Sequence, residues 1–414
     1  MAQEKTKKPK ILMVMFEEVP SPTGPACWIT EQIKALVPVF DLDVLSLKSE
    51  DLAHIERYHG ARLLRVPVGT GSFLARVKSF QRALNRQLDS EEYRLCHFSS
   101  IWEGMVLAAR RKSAGFKLVY EVHTLPSVDF KVTHPDEKDV VEQSFSLKQQ
   151  EERCLSLADR VVAGSELLRG HLKTRGVDPA RIEVIRPALD LAPFENADGV
   201  QPQSGTILYL GSMAPWQGIS SLLMALAELP HGLPVRLQLV CRNHPAWHKR
   251  VQGKLQMLGL ARKVELSQPV APEELPAVVG RANVCVAPLA NHEHNRIAAS
   301  TPHKLLVYMA CRRPVVAADQ PAVREIIEHG VHGLLYHTGD VPGLAEALQR
   351  LLLDRDLASR LGNQARLHLE DALGLEASTA KLLAVYRALA GDSAARIESP
   401  TDFDTAPRPA PARP

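Results

Sequence analysis

Residues 301 to 310, T-P-H-K-L-L-V-Y-M-A, place a lysine in the first turn of a predicted helix. The helix dipole makes that end positive, so Lys304 is a poor choice there unless an anion binds against both. Thr301 is expected to cap this helix, with Pro302 at its first position and free N–H groups beyond. Val307, three residues after Lys304, lies on a neighbouring face, either in the core or in reach of a ligand. A second anion signal is L-Y-L-G-S-M-A-P-W-Q-G, residues 208 to 218. Gly211 and Gly218 frame a strand-to-helix loop there, the natural position for the phosphates of a nucleotide. In P-S-P-T-G-P-A-C-W-I, residues 20 to 29, Gly24 either lets backbone approach a phosphate or marks an ordinary βα turn.

Histidines supply the other chemistry. His123 ends a strand in E-V-H-T-L-P, where a side chain can reach a cleft, and His97 ends the strand before it. The run N-H-E-H-N-R, 291 to 296, contains His292, Glu293 and His294, all metal-ligand types. Alternate residues of one loop give at most an incomplete metal site, and Arg296 is the member expected to meet phosphate.

Short apolar runs alternating with helical patterns must position these residues, and that alternation is the sign of parallel α/β sheets. Residues 11–16, 42–47, 62–68, 95–98, 117–123, 160–165 and 181–187 are strand candidates for one doubly wound domain. After a Pro- and Gly-containing stretch the pattern restarts, with strands at 206–211, 235–240, 264–266, 283–289 and 314–318. Helices are expected near 218–229, 246–258, 272–281, 302–311, 321–328 and 341–353. Two such domains facing each other make a cleft.

The 414 residues, 45% hydrophobic and 23% charged, are those of a soluble globular chain with room for two domains. A net charge of +3 is too small to argue for nucleic acid. The first apolar run, I-L-M-V-M-F, is too short for a signal peptide and ends in two glutamates, so it reads as a buried strand. No run approaches the roughly 20 apolar residues of a spanning helix. Cysteines sit singly at 27, 96, 154, 241, 285 and 311, which suggests neither zinc nor disulfides and fits a reducing cytoplasm.

In residues 74 to 88, Val77, Phe80, Leu84 and Leu88 repeat at helical spacing while Arg76, Lys78, Arg82 and Arg86 occupy other faces. Such a helix can rest on anionic lipid at the inner face of a membrane, or pack on the first sheet with its charges solvated.

Three stretches together resemble the retaining glycosyltransferases of the GT-B fold, family four, also called glycosyl transferases group one. They are A-D-R-V-V-A-G-S-E-L-L-R-G-H-L-K-T-R-G-V-D-P-A-R-I-E-V-I-R-P-A-L-D-L-A-P-F, then Y-L-G-S-M-A-P-W-Q-G, then T-P-H-K-L-L-V-Y-M-A-C-R-R-P-V-V-A-A-D-Q-P-A-V-R-E-I-I-E-H-G-V-H-G-L-L-Y. The resemblance implies two Rossmann-like domains facing across a cleft, a nucleotide-sugar donor on the second and a glycan or lipid-linked acceptor on the first. It also implies transfer with retention and without a metal or other cofactor.

His123 matches the family's sugar-facing histidine, and Glu325 follows the last matched helix and strand as the family's second-domain carboxylates do. These two are the expected catalytic residues. The expected donor-binding set is Gly24, Gly211, Gln217, Gly218, Arg242, Arg296, Thr301 and Lys304. The division expected is 1–190 for the acceptor-side domain, 191–204 for a linker and 205–375 for the donor domain. A helix at 376–390 then returns to the first domain, and a disordered Pro- and Ala-rich tail follows at 391–414.

Departures are specific. The family's usual pair of glutamates is Ala299 and Val307, its basic loop residues are Ser212 and Gln217, and its P-N-G-V-D is R-P-A-L-D. Losing a ribose partner costs about 1 to 3 kcal/mol of binding. A scaffold of the same fold that binds a nucleotide, a glycan or a partner transferase without turnover is therefore the alternative, with a sugar-nucleotide epimerase as a third reading.

Overall fold

The computed structural model describes residues 8–20, 25–49, 51–123, 125–133, 140–242 and 245–390. Gly24, the tail at 391–414 and the side chain of Arg242 lie outside the described residues.

The first sheet contains β1 (Lys10–Glu18), β2 (Asp41–Leu47), β3 (Ile55–Tyr58), β4 (Ala61–Val66), β5 (Leu95–Phe98), β6 (Lys117–Val122), β7 (Arg160–Ala163) and β8 (Ile182–Val184). Their order is β3-β4-β2-β1-β5-β6-β7-β8, parallel throughout except for the β3–β4 hairpin. Its helices are α1 (Pro25–Leu36), α2 (Phe73–Ser90), α3 (Ile101–Ala114), α4 (Pro126–Thr133), α5 (Val140–Leu157) and α6 (Glu166–Thr174).

The second sheet contains β9 (Thr206–Ser212), β10 (Arg236–Arg242), β11 (Val264–Ser267), β12 (Val284–Ala287), β13 (Val315–Ala318) and β14 (Leu334–Tyr336), in the order β11-β10-β9-β12-β13-β14. It carries α7 (Ile219–Glu228), α8 (Pro245–Met257), α9 (Leu275–Gly280), α10 (His303–Ala310), α11 (Pro321–Arg324), α12 (Val341–Leu353) and α13 (Arg355–Ala372). A last helix, α14 (Leu375–Ala390), leaves this domain and packs on α1 and β5 of the first.

Strand alternation divides the first core in two. Ile11, Met13 and Met15 of β1 face a cluster with Trp28, Ile33, Leu382 and Tyr386, while Leu12 and Val14 face one with Phe80, Leu84 and Phe98. The second domain has a single continuous cluster running from Ile207 to Leu369.

Of the two readings of residues 74 to 88, the structure shows the one in which the helix packs on the first sheet. Val77, Phe80, Leu84 and Leu88 are buried, because a parallel sheet must be covered on both faces and α2 does the covering. Lys78, Arg82 and Arg86 are exposed. Among the described residues no helix is long and apolar enough to cross a membrane. Cys96, Cys154, Cys241, Cys285 and Cys311 are buried and form no disulfide among the described residues. The strands β3 and β14 were not expected, and α11 stops at Arg324 rather than running to 328.

Candidate functional site

The loop after β9 and the start of α10 make one small construction. Gly211 has φ of 142°, and a Cβ there would lie 2.9 Å from Lys304 Nζ and 3.0 Å from the Tyr209 hydroxyl, so glycine is what lets the lysine in. Gly218 has φ of 74° and heads α7, with Pro288 O where a Cβ would stand. Lys304 Nζ donates to Gln217 Oε1 at 2.5 Å and sits 4.1 Å from the centre of the Tyr209 ring. The Tyr209 hydroxyl lies 2.6 Å from Ser212 O and 3.2 Å from Gln217 Oε1.

Lys304 has no carboxylate partner among the described residues. Burial therefore lowers its ammonium to about 7. A cation held this way, with an uncapped helix start beside it, is set to accept an anion.

Thr301 does not cap α10. Pro302 occupies the cap position without a side-chain hydrogen bond, and the Thr301 hydroxyl donates instead to Gly164 O at 2.9 Å. The reason is tertiary: Thr301 is buried where the two domains meet, and its backbone N–H donates to the same carbonyl. Ser165 Oγ reciprocates by donating to Ala299 O at 2.6 Å. A Cβ on Gly164 would meet the Ser300 hydroxyl at 2.0 Å, so the domains approach closely only because that residue is glycine.

Glu325 belongs to the same junction. Its carboxylate accepts from the backbone N–H groups of Glu166 and Leu167 at 2.9 Å each, at the start of α6, and pairs with Arg186 at 2.8 Å. The residue expected to be catalytic is thus engaged as an anion on a first-domain helix N-terminus. His294 Nδ1 pairs with Asp129 of α4 at 3.0 Å, and the rings of His292 and His294 flank Trp216. No group of three metal-ligand residues gathers among the described residues. Arg296 is exposed on the His294–Ala298 turn, and Arg242 ends β10 with its backbone paired to Ser212.

Val307 is a core residue of the second domain, 4% exposed, and Ala299 is 5% exposed at the junction. Neither supplies a polar group to the site.

His123 stands one residue past β6, whose Val122 pairs with Ala163 of β7. Gly164 and Ser165 follow directly on β7, so His123 is one strand away from the junction that leads into Lys304. Beneath it lies Glu121, whose Oε1 is 3.4 Å from His123 Nε2. Burial pulls the His123 imidazole down, but Glu121, with Glu17 and Glu103 further off, outweighs this and raises it above its ordinary value. Glu121 escaped the reading of the sequence. Its signal was there, a lone carboxylate inside the otherwise apolar K-L-V-Y-E-V-H, where a buried charge demands partners. His97, expected at the end of the strand before that of His123, lies on the neighbouring β5, is 1% exposed and faces α14.

Two Rossmann-like domains, each built on a largely parallel sheet, define the GT-B class. Sucrose-phosphate synthase from Thermosynechococcus elongatus superposes with a TM-score of 0.77 at 22% identity, over 92% of this chain and 99% of that one. HepE of Anabaena, solved with UDP-glucose, gives 0.70 at 16% identity over 91% and 99%. At such identities the likeness is one of fold. Residues 25–193 match the model described as Glycosyltransferase Family 4 and residues 204–354 that described as Glycosyl transferases group 1, together more than half of the chain. The chain belongs to this glycosyltransferase family. Among curated relatives, D-inositol 3-phosphate glycosyltransferase of Rhodococcus erythropolis is 26% identical over 311 residues, 71% of this chain and 68% of that protein.

Proposed function

We propose that this glycosyltransferase moves a sugar from a nucleotide-sugar donor to a polysaccharide or glycolipid acceptor with retention of configuration, needing no metal. The observation that carries the reading is Lys304, a half-buried lysine without a carboxylate partner among the described residues, held between Gly211 and Gln217 at the start of α10. In the reaction the bond from the anomeric carbon to the diphosphate oxygen breaks, a bond to an acceptor hydroxyl oxygen forms, and the hydroxyl proton passes to the departing diphosphate. Negative charge develops on the departing diphosphate, where Lys304 and the starts of α7 and α10 stabilise it. His123 contacts the sugar from the first domain. Closure of the domains across the Gly164–Thr301 junction excludes water before transfer.

The UDP-glucose bound to HepE supports a nucleotide-activated donor, and the inositol phosphate in the relatives' name supports transfer to a hydroxyl group. A second reading, a scaffold that binds without turnover, rests on Ala299 and Val307, which offer the donor no carboxylate. Calorimetric titration with UDP, GDP and ADP, repeated on Lys304→Ala, tests the donor site. One nucleotide that binds and is lost in the variant supports it, and silence for all three refutes it. Product analysis with the matching nucleotide sugar then separates transfer from binding alone.

A further inference from the structure

His123 follows directly on β6, two residues after Glu121, and the extended spacing sends both side chains to the same face of the first sheet. Glu121 is 4% exposed and is surrounded by donors. Trp28 Nε1 of α1 donates to its Oε1 at 3.1 Å and Gln32 Nε2 to its Oε2 at 2.7 Å. His97 Nε2 stands 3.1 Å from Oε2, and His123 Nε2 stands 3.4 Å from Oε1. On the other side of the His97 ring, Nδ1 hydrogen-bonds the hydroxyl of Tyr386, which belongs to α14.

Burial favours the neutral acid, yet His123 and His97 hold the Glu121 carboxyl well below the usual range. A packed apolar side chain would fill this place at a lower desolvation cost. What the carboxylate adds is a fixed charge 3.4 Å from His123 Nε2, beside a ring neither of whose buried nitrogens has a hydrogen-bond partner among the described residues. The other charged groups acting on that imidazole are Glu17 of β1 and Glu103 of α3.

We infer that Glu121 is the positioning residue of His123, orienting its ring toward the donor sugar, and that Tyr386 of the C-terminal helix completes the brace through His97. This rests on the reading above that His123 meets the sugar. The diphosphate contacts lie in the other domain, so the brace governs the chemical step rather than nucleotide affinity.

The test uses the full chain with Glu121→Gln, Glu121→Asp and Tyr386→Phe. Glu121→Gln keeps the volume and removes the charge. Its kcat is expected to fall roughly 10- to 100-fold, the scale of a misplaced catalytic group, with KM for the nucleotide sugar close to wild type. The ring of His123, followed by NMR and assigned by its loss in His123→Gln, is expected to titrate at lower pH in Glu121→Gln and to return toward wild type in Glu121→Asp. Tyr386→Phe is expected to lower kcat less, at unchanged nucleotide affinity. A folded Glu121→Gln protein with the wild-type His123 titration overturns the inference, as does an unchanged kcat. If Glu121→Gln does not fold, wild-type kcat in both Glu121→Asp and Tyr386→Phe together with unmoved His123 signals overturns it. If the His123 titration shifts as expected while the wild-type protein turns over no nucleotide sugar, the brace stands and the transferase reading fails.

Discussion

The lowered ammonium of Lys304 makes donor binding a proton-coupled event. At about 7, Lys304 is about 90% charged at pH 6 and about 10% charged at pH 8. A diphosphate that requires the charged form draws the missing proton from solvent, about 0.9 per ligand at pH 8 and about 0.1 at pH 6. The sign follows from the direction of the shift: the free protein holds the lysine low, the anion raises it, and affinity falls as pH rises past the free value. The population argument gives about tenfold weaker binding at pH 8 than at pH 6, about 1.4 kcal/mol.

The assay is calorimetric titration with a nucleotide sugar in buffers of different ionisation enthalpy. A free nucleoside diphosphate is unsuitable because its terminal phosphate itself titrates near about pH 6. His303, the neighbour of Lys304, is pushed down to about 4 by burial and stays neutral throughout this window. His123 is raised and titrates nearer to it, so Lys304→Ala serves as the control. That variant is expected to bind about 10- to 150-fold more weakly at pH 6, the worth of a charge-assisted hydrogen bond of about 1.5 to 3 kcal/mol, and to lose the pH dependence. Equal wild-type affinity at pH 6 and 8 without proton uptake, or a pH dependence that survives in Lys304→Ala, refutes the reasoning.

Other consequences are open to measurement. Gly211→Ala pushes against the Lys304 ammonium and should weaken nucleotide-sugar binding, whereas Gly218→Ala drives a Cβ into Pro288 O. The latter should cost about 1 to 3 kcal/mol of stability, and a wild-type melting temperature for Gly218→Ala would count against the packing described. Glu325→Ala leaves Arg186 and two N–H groups without their acceptor, so small-angle scattering should show a larger radius of gyration; an unchanged one would mean that the clamp does not hold the domains together. His303 binds a proton near 6.5 when unfolded and only near about 4 when folded, so between these values stability falls as pH falls. His303→Asn should remove about 2 kcal/mol of the loss between pH 7.5 and pH 5 seen in denaturant titrations, and an identical pH profile would contradict its burial.

Most strands could be read from the sequence because they are apolar runs buried on both faces, as 206–211 and 117–123 are. The two that escaped lack this signature. β3, I-E-R-Y, is an edge strand alternating between exposed and half-buried, and β14 is only three residues long. The gathering of Gly211, Gln217, Gly218 and Lys304 was legible because the loop and the helix start lie at neighbouring strand ends of one domain. Thr301 and Glu325 were not, because their partners are Gly164, Glu166, Leu167 and Arg186, more than 130 residues away in sequence. A cap and a domain clamp use the same side-chain chemistry, and only the fold chooses between them. The amphipathic pattern of 74–88 likewise specified a buried stripe without saying what buries it.

The path of α14 has a consequence for synthesis. Leu382, Val385 and Tyr386 fill the cluster that Trp28, Ile33 and Phe40 begin, and Arg94 of the first domain holds Ala390 O. The last strand of the first sheet is complete at Val184, but the helix that closes this face is made only after the whole second domain. At about 5 to 20 residues per second, roughly 10 to 40 s separate the two events. During that interval the nascent first domain presents an open apolar face with His97 and Glu121 at its floor. The nascent first domain is therefore sealed only once α14 has been made, and a chain cut short before α14 carries a permanently unroofed one.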